Sequence, residues 1–432
     1  MLIAGGTVLL MLPVSTEAAD RAGFITALFT ATSAVCVTGL VVVNSSTYWS
    51  TFGQTVILLL MFVGGLGIMT AGLVILAAVG RRITLSQRIV VRDTMGATSL
   101  GGAVALGRYV LIFAIAVQAV GFVVLFIRLL FDLSVGEAAW QGLFHSVSAF
   151  NNAGFVIFED SESLSAFRND PLMLGIIGAL IVGGALSFPV LAEVVRRRRP
   201  QSWSLDTRLV IIGSVGMWVL GGLALLLFEW GNDATMQQLS TVDKVSNGVF
   251  QALTARTAGF SSIDFSETRA GTDFLFTFLM FVGGASGSVA GGIKVNTMMV
   301  LVFASLASVG GRTRTEMFKR ELPAAQVARA LAVFLLAALA LLVLIASLAL
   351  TESASLESGA FDFIDVLFEA TSAFGTTGLS RGITSDLTDP GKLVITLAMY
   401  LGRLGPLTIA LGLALRERRA VYRFAQERVR IG

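Results

Sequence analysis

Histidine and cysteine are nearly absent from this chain, each occurring once, as His145 and Cys36. A single cysteine excludes an internal disulfide framework, and one isolated histidine leaves little for a metal site of the usual cysteine and histidine type. Charged residues are also scarce at 14%, whereas 55% of the residues are hydrophobic and the mean hydropathy is +0.82. This balance lies outside the range of soluble globular domains and indicates a membrane protein.

Several apolar runs are as long as the roughly 18 residues that a helix needs to cross a hydrocarbon core of about 30 Å. They predict spanning helices near 56–79, 109–131, 171–193, 209–228, 328–350 and 391–414, with a broken one over 273–308. The apolar start, Met1–Leu12, rises only about 18 Å as a helix, so we expect a truncated first helix whose ancestral start lies upstream. A signal peptide is disfavoured because no positive charge precedes this run.

Most of the 31 basic residues lie in four stretches that alternate with the predicted outer segments: 81–108, 196–208, 312–329 and 416–430. By the positive-inside rule these stretches are cytoplasmic. A solvated Arg-rich face would not explain the alternation. We therefore expect a multi-pass protein of the plasma (inner) membrane with both termini in the cytoplasm, a lipid environment and no nucleic-acid partner.

Four related strings end in glycine: AVCVTGL at Gly39, SAFNNAGF at Gly154, LTARTAGF at Gly259 and SAFGTTGL at Gly378. Each follows a predicted short helix, at 23–35, 137–149, 243–255 and 362–373. Such self-similarity divides the chain into four repeats, 1–100, 101–204, 205–322 and 323–432. The predicted fold is an all-α polytopic membrane protein, with four pseudo-symmetric helix–pore-loop–helix repeats around one central ion pore, as in potassium channels.

A helix of about a dozen residues cannot span the bilayer, so each short helix is expected to be re-entrant from the outer side. Non-helical backbone at membrane depth is tolerated only where protein buries it or where it lines a water-filled cavity. Glycine lets backbone carbonyls crowd an axis, and rings of such carbonyls replace the hydration shell of a permeating cation. Helix packing would explain one glycine but not four at equivalent places.

A glycine-rich stretch interrupts the last apolar run of the third repeat at 283–292, and Lys294 follows it. So many glycines cannot form a stable helix interior, at about 1 kcal/mol each. A flexible loop halfway across the membrane is a natural gate. A phosphate-binding loop is excluded, because no strand precedes the stretch and no Gly-Lys-Ser/Thr follows it. The predicted gate comprises Gly283, Gly284, Ser286, Gly287, Ser288, Gly291, Gly292, Lys294 and Arg403.

Two arginines lie within apolar or filter segments, where a charge is costly and suggests a functional site. Arg403 lies in the last predicted spanning helix, where it would form an electrostatic barrier below the glycine strands; an ion pair or snorkelling is the alternative. Arg256 lies three residues before Gly259, and we expect it to pair with a carboxylate of a neighbouring repeat, Glu369, in a structural role. His145 and Cys36 are expected to serve packing.

These strings, together with GGASGSVAGGIKV and GRLGPLT, resemble the Trk/Ktr/HKT superfamily of potassium transporters over essentially the whole chain. Since the extra pair of helices that precedes the first repeat in Trk-type subunits is lacking here, the resemblance is closest to KtrB, the membrane subunit of the Ktr potassium uptake system. The resemblance implies K⁺ as the substrate and a selectivity filter built from Val37, Thr38, Gly39, Asn152, Ala153, Gly154, Thr257, Ala258, Gly259, Thr376, Thr377 and Gly378. It also implies 283–292 as an intramembrane gating loop, Arg403 as a positive barrier, and Na⁺ as an activator or co-ion.

For partners, the resemblance implies a homodimer with one pore per subunit, seated on a cytosolic ring of nucleotide-binding, KtrA-like regulatory subunits. No cofactor is expected in this chain itself.

Two other functions stay open. A secondary cation transporter with discontinuous helices is one, although such proteins have paired broken helices, and here one unmatched break is predicted. A polytopic membrane enzyme is disfavoured, because the spans offer no carboxylate pair, histidine cluster or activated nucleophile.

Overall fold

The structure is a computed structural model that describes residues 1–18, 20–67, 102–158, 163–312 and 314–415, with the backbone alone for 102–106 and 405–415. The second half of the predicted span 56–79 and the basic residues of 81–92 and 416–430 lie outside the described residues. The described part is helical, apart from a two-stranded antiparallel pair, β1 (Glu316–Met317) and β2 (Arg320–Glu321). The expectation of an all-helical membrane fold is confirmed at this level.

The described helices, in chain order, are α1 (Leu2–Leu10), α2 (Phe24–Cys36), α3 (Thr51–Leu66), α4 (Gly102–Leu129), α5 (Val135–Phe150), α6 (Pro171–Ala185), α7 (Phe188–Arg196), α8 (Leu205–Glu229), α9 (Thr241–Thr254), α10 (Ala270–Phe281), α11 (Val295–Val309), α12 (Ala324–Thr351), α13 (Ser353–Glu357), α14 (Phe363–Gly375) and α15 (Asp389–Leu415). Short 3-10 turns occupy Pro13–Ser15, Ser165–Phe167 and Pro200–Ser202. Three helices in the described ranges are long and apolar enough to span a membrane by themselves: Gly107–Leu129, Leu205–Glu229 and Ala324–Thr351.

The four predicted short helices correspond to α2, α5, α9 and α14, within about two residues at each end. Local sequence sets where three of them begin. Ser134 and Glu137 form a capping box at α5, Asp362 and Asp365 do so at α14, and the Ser240 hydroxyl accepts the Asp243 amide at α9. These side chains satisfy amide groups that a helix N-terminus leaves without intrahelical partners. We call each short helix, with the extended residues that follow it, a glycine hairpin.

The helices close into a ring around the four glycine hairpins. The helix after each hairpin packs on the short helix of the next one: α3 on α5, α6 on α9, and α10 on α14. The circle closes because α15, the last helix that the structure describes, packs on α2, the first short helix. The short helices are accordingly buried, with Phe29, Phe144 and Phe368 fully enclosed. Large apolar side chains on α4, α8 and α12 instead face outward, where lipid would cover them.

The predicted continuous span at 171–193 is wrong. The chain bends by 102° between α6 and α7, across Leu186 and Ser187. Pro189 explains the break, because it has no N–H to donate to the carbonyl of Ala185 four residues earlier, and its ring would clash with that carbonyl. The Ala185 carbonyl instead accepts the amide of Ala285 from the glycine-rich stretch at 3.2 Å. The break predicted in the third repeat therefore has a partner, so the expectation of one unmatched break is also wrong.

Candidate functional site

The four hairpin glycines form a closed ring of backbone contacts. A Cβ added at Gly39 would lie less than 3.0 Å from the Ala153 carbonyl oxygen, and one at Gly154 equally close to that of Ala258. The same holds for Gly259 against Thr377, and for Gly378 against Thr38, which returns to the first hairpin. Each glycine thus faces the carbonyl of the residue before the next glycine. Only residues without a Cβ permit this approach of four backbones.

The same backbone conformation recurs in all four strands. The residue two before each glycine has a positive φ, namely 49° at Val37, 54° at Asn152, 73° at Thr257 and 50° at Thr376. Each ring glycine is also positive, at 91°, 71°, 75° and 93° in chain order, whereas the residue between them is not. A non-glycine residue rarely adopts positive φ, and β-branched residues do so least readily. Four such residues at equivalent places indicate that the surroundings impose this path.

Serines near the ends of the short helices hold the strands. The Ser33 hydroxyl accepts the Gly39 amide at 3.1 Å, and the Ser372 hydroxyl accepts the Gly378 amide at 3.0 Å. Ser148, the equivalent residue of the second hairpin, donates to the Phe155 carbonyl at 2.8 Å. Leu253 takes this position in the third hairpin, which therefore lacks the hydroxyl. The third hairpin is the exception among the four.

Polar side chains deeper in two short helices also bind the segment after the ring. His145, nine residues before Gly154, accepts the Ile157 amide at 3.3 Å through Nε2. Glu369, nine residues before Gly378, accepts the hydroxyl of Thr384. Both side chains are fully buried. His145 stacks on Phe158, with ring centroids 4.0 Å apart, in keeping with the packing role expected for it.

The expected ion pair between Arg256 and Glu369 is wrong. The guanidinium of Arg256 is 2% exposed and donates from Nη2 to the Gly283 carbonyl at 2.6 Å. It also lies over the Trp218 ring, 5.8 Å from the centroid. Arg256 thus contacts the glycine-rich stretch of its own repeat rather than a carboxylate of a neighbouring repeat.

The glycine-rich stretch is non-helical, as expected: α10 ends at Phe281 and α11 begins at Val295. Its two ends run beside each other, because the Gly283 amide donates to the Ile293 carbonyl at 2.8 Å. Positive φ at Gly287 (76°) and Gly292 (63°) permits the reversal. We call residues 282–294 the loop.

The loop lies directly against the glycine hairpins and the broken helix. A Cβ added at Gly291 would overlap the Thr376 hydroxyl. On the other side, the Val289 amide donates to the Gly184 carbonyl at 3.4 Å, next to the Ala185 bond already described. Within the loop, Ser288 donates to the Ala285 carbonyl at 2.7 Å, and the Asn296 side chain accepts the Ser286 amide at 3.1 Å. The breaks in the second and third repeats therefore satisfy each other's backbone groups.

Arg403 joins three parts of the chain. From α15 its guanidinium donates to the Gly64 carbonyl at 2.6 Å and to the Val289 carbonyl in the loop. The Lys294 ammonium donates to the adjacent Ala290 carbonyl. The predicted gate residues of the loop and Arg403 thus lie together in the structure.

A third arginine, Arg381, was not found by sequence reasoning. It follows Gly378 by three residues and forms ion pairs of 2.5 Å with both Asp365 and Asp273. Its Nη1 also donates to the Phe265 carbonyl at 2.9 Å, so it ties the fourth hairpin to the third. Burial opposes its charge, but the hydrogen bonds and charges of the two carboxylates outweigh burial and raise the pKa of Arg381. Its signal in the sequence is a charged residue three positions after a ring glycine.

Comparison with known proteins places this geometry in a family. The sequence profile of TrkH, described as a cation transport protein, matches residues 2–420. The "Ktr system potassium uptake protein B" of Bacillus subtilis is 38% identical over 95% of this chain and 90% of its own length. The "Potassium/sodium uptake protein NtpJ" of Enterococcus hirae is 36% identical over 100% of this chain and 95% of its own.

The fold has a counterpart among solved structures. The potassium transporter TrkH from Vibrio parahaemolyticus superposes with a TM-score of 0.70 at 20% identity, covering 96% of this chain and 84% of that one. The predicted resemblance and the expectation that the chain is not an enzyme are both confirmed. The chain belongs to the TrkH family of cation transport proteins.

Proposed function

We propose that this protein carries K⁺ into the cell through a single pore, with the twelve predicted filter residues as its selectivity filter. Four equivalent repeats, with the boundaries expected from the sequence, surround this pore. The filter binds K⁺ through backbone carbonyls, which replace water around the ion.

The closed ring of the four glycines is the observation that carries this proposal. Each of the carbonyls of Thr38, Ala153, Ala258 and Thr377 lies against the glycine of a neighbouring strand, so four segments distant in sequence meet around one axis. Irregular backbone at membrane depth needs either burial or a water-filled cavity. In a ring of carbonyls, a cation at the centre can take the place of water and bind the carbonyl oxygens.

The alternative within transport is a secondary cation transporter with discontinuous helices. The bend between α6 and α7 favours it, because it gives the loop of the third repeat a broken partner. In such transporters, however, the broken helices themselves form the ion site. Here the two breaks bind each other's backbone groups, whereas the four positive-φ strands contact one another through their glycines. The filter proposal accounts for all four strands.

The loop and Arg403 form the gate in this proposal. The loop lies against Thr376 of the filter, and Arg403 holds its Val289 carbonyl. A seated loop beneath the filter obstructs passage, and the positive charge of Arg403 adds an electrostatic barrier to a cation. Movement of the loop opens the path.

Regulation and coupling rest on the relatives. The B. subtilis relative is named as one protein of a Ktr system, which supports a regulatory partner subunit. We further propose a homodimer of this chain on a cytosolic ring of KtrA-like, nucleotide-binding subunits, as the sequence resemblance implies. The E. hirae relative is named for potassium and sodium, which supports Na⁺ as an activator or co-ion. The proposed location is the plasma membrane, with both termini cytoplasmic.

Uptake of Rb⁺ or K⁺ by cells that lack their own potassium uptake systems tests the proposal. It is measured at low external K⁺, with and without Na⁺, and with and without a Ktr-type regulatory subunit. Saturable uptake that Gly259→Ser weakens or makes less selective against Na⁺ is expected. A wild-type protein that reaches the membrane and takes up neither ion under any of these conditions contradicts the proposal.

A further inference from the structure

Arg256 is a buried cation bound to a backbone carbonyl rather than to a carboxylate. Its guanidinium has one hydrogen-bonded acceptor, the Gly283 oxygen, and its Nε has no partner among the described residues. Burying a charge with so few partners is costly, whereas an apolar side chain of similar size would cost little there. The cost indicates a role beyond packing.

The carbonyl it binds belongs to the first turn of the loop. In a continuous helix the Gly283 carbonyl would accept the amide of residue 287, but the helix ends at Phe281. A carbonyl left unpaired at membrane depth is strongly unfavourable. Arg256 supplies the missing donor from the filter strand, so the loop conformation depends on a residue of the filter segment.

The contact continues along the filter strand. Thr257, the next residue, lies against the same glycine: a Cβ added at Gly283 would be 3.3 Å from its Cγ2 methyl. Two residues further on is Gly259 of the ring. One end of the loop is therefore held by the third filter strand, and the other part, at Val289, by Arg403 from α15.

We propose that Arg256 is a positioning residue that couples the filter strand of the third repeat to the loop and stabilises the seated loop. This inference rests on the proposed function of the loop as a gate. Loss of the hydrogen bond shifts the loop toward the unseated state by roughly 5- to 100-fold, the range expected for a buried carbonyl left without its charged donor. Transport then becomes faster per folded protein.

A double-mutant cycle in the full-length protein tests the coupling. Rb⁺ uptake per amount of folded membrane protein is measured for wild type, Arg256→Met, deletion of Ala285–Ala290, and the combination. We expect Arg256→Met to raise the maximal rate severalfold and to add nothing once the loop is deleted. The matched control is Arg381→Met, a partly buried arginine that also binds backbone carbonyls but makes its contacts with Asp365, Asp273 and Phe265 and not with the loop. Its effect should be the same with and without the loop.

Equal effects of Arg256→Met in both backgrounds, or a loss of uptake that only follows the amount of folded protein, overturn the inference. If Arg256→Met does not reach the membrane, the cycle uses Arg256→Lys, which keeps the charge and one donor. Its smaller effect must likewise vanish with the loop.

A second measurement needs no deletion. The only cysteine is Cys36, so Cys36→Ser with Ser288→Cys carries a single thiol on the loop. A water-soluble thiol reagent should modify it faster when Arg256 is Met, and an unchanged rate contradicts the coupling. If wild type shows no uptake at all, the proposed function fails; if it transports and responds to Gly259→Ser but the cycle is additive, only this inference fails.

Discussion

The level of the glycine ring and the level just beneath it are built on different plans. In the ring, four strands repeat the same signs of φ and the same contact between a glycine and the next carbonyl. Beneath it, the following segments that the structure describes, those of the second, third and fourth repeats, differ. The second is bent by 102° and the third is a non-helical loop, while α15 continues as a helix and carries Arg403.

In the proposed function, the difference follows from what each level has to do: the ring binds the ion and the loop is the gate. A cation on an axis is bound best by carbonyl oxygens at equal distances on all sides. Each strand must therefore present its carbonyls with the same backbone conformation. A gate needs one element that moves and others that hold it. The loop is held by Arg256, Arg403 and the carbonyls of the broken helix, and each of these contacts is made once.

The largest expected effect on K⁺ uptake comes from replacing one of the four ring glycines, so that the four strands are no longer equivalent. Alanine at any one of Gly39, Gly154, Gly259 and Gly378 would force a Cβ against a neighbouring carbonyl, at a φ that costs an L-residue about 1–2 kcal/mol before the clash is counted. We expect each variant to lose at least about tenfold in K⁺ uptake or in selectivity over Na⁺. Gly175→Ala on α6, where an added Cβ meets nothing within 4 Å, is the control. A ring position that tolerates alanine would contradict the equivalence of the four strands.

Changes at the lower level should act on rate rather than on selectivity. Arg403→Gln removes the charge and weakens the hydrogen bonds to the Gly64 and Val289 carbonyls. The loop then loses one of the contacts that hold it in place. We expect a severalfold rise in maximal Rb⁺ uptake with an unchanged preference for K⁺ over Na⁺. Arg269→Gln, whose arginine donates to the Gly231 carbonyl on the exposed surface, should leave uptake unchanged. Altered selectivity without a change in rate would contradict this division of roles.

A smaller effect is expected from the outer ion pairs. Arg381→Gln leaves Asp273, which is 1% exposed, without its cation, and this is destabilising because a buried carboxylate lacks compensation. We expect a lower thermal midpoint and about a fivefold weaker half-saturation for K⁺, since the fourth strand loses its tie to the third. Adding Asp273→Asn should restore much of the midpoint. If the double variant is no better than the single one, the ion pair is not what positions the strand.

The smallest effect should come from the serines behind the ring. Ser33→Ala and Ser372→Ala each remove one acceptor of a glycine amide, worth about 1 kcal/mol, or about fivefold at most. The third hairpin already manages with Leu253, so selectivity should weaken without being lost. Ser347→Ala on α12, where the hydroxyl binds its own helix, is the control. Complete loss of selectivity in either variant would show that the four strands are not equivalent.

Sequence reasoning found the repeated features well and the unique contacts poorly. The glycine strings and the short helices follow from local signals such as Ser134 with Glu137, and all four short helices were predicted within about two residues. The loop was predicted from its glycines. The bend at Leu186 was missed, although Pro189 is a helix-start signal, because the apolar run continues through it.

Partners across the fold could not be predicted in the same way. Arg256 was expected to bind Glu369, but its acceptor is a carbonyl exposed only because the helix breaks at Phe281. The pairing of Arg381 with Asp273 joins residues more than a hundred positions apart. Such contacts depend on how the hairpins close into a ring, which a single sequence does not reveal.

Cation binding to the purified protein, measured by calorimetry with K⁺ and with Na⁺, directly tests whether the glycine ring binds the transported ion. We expect saturable binding of K⁺ that is tighter than that of Na⁺ in the wild type, and loss of this difference in Gly259→Ser. Identical K⁺ binding in the wild type and in all four ring variants would contradict the claim that the glycine ring binds the transported ion.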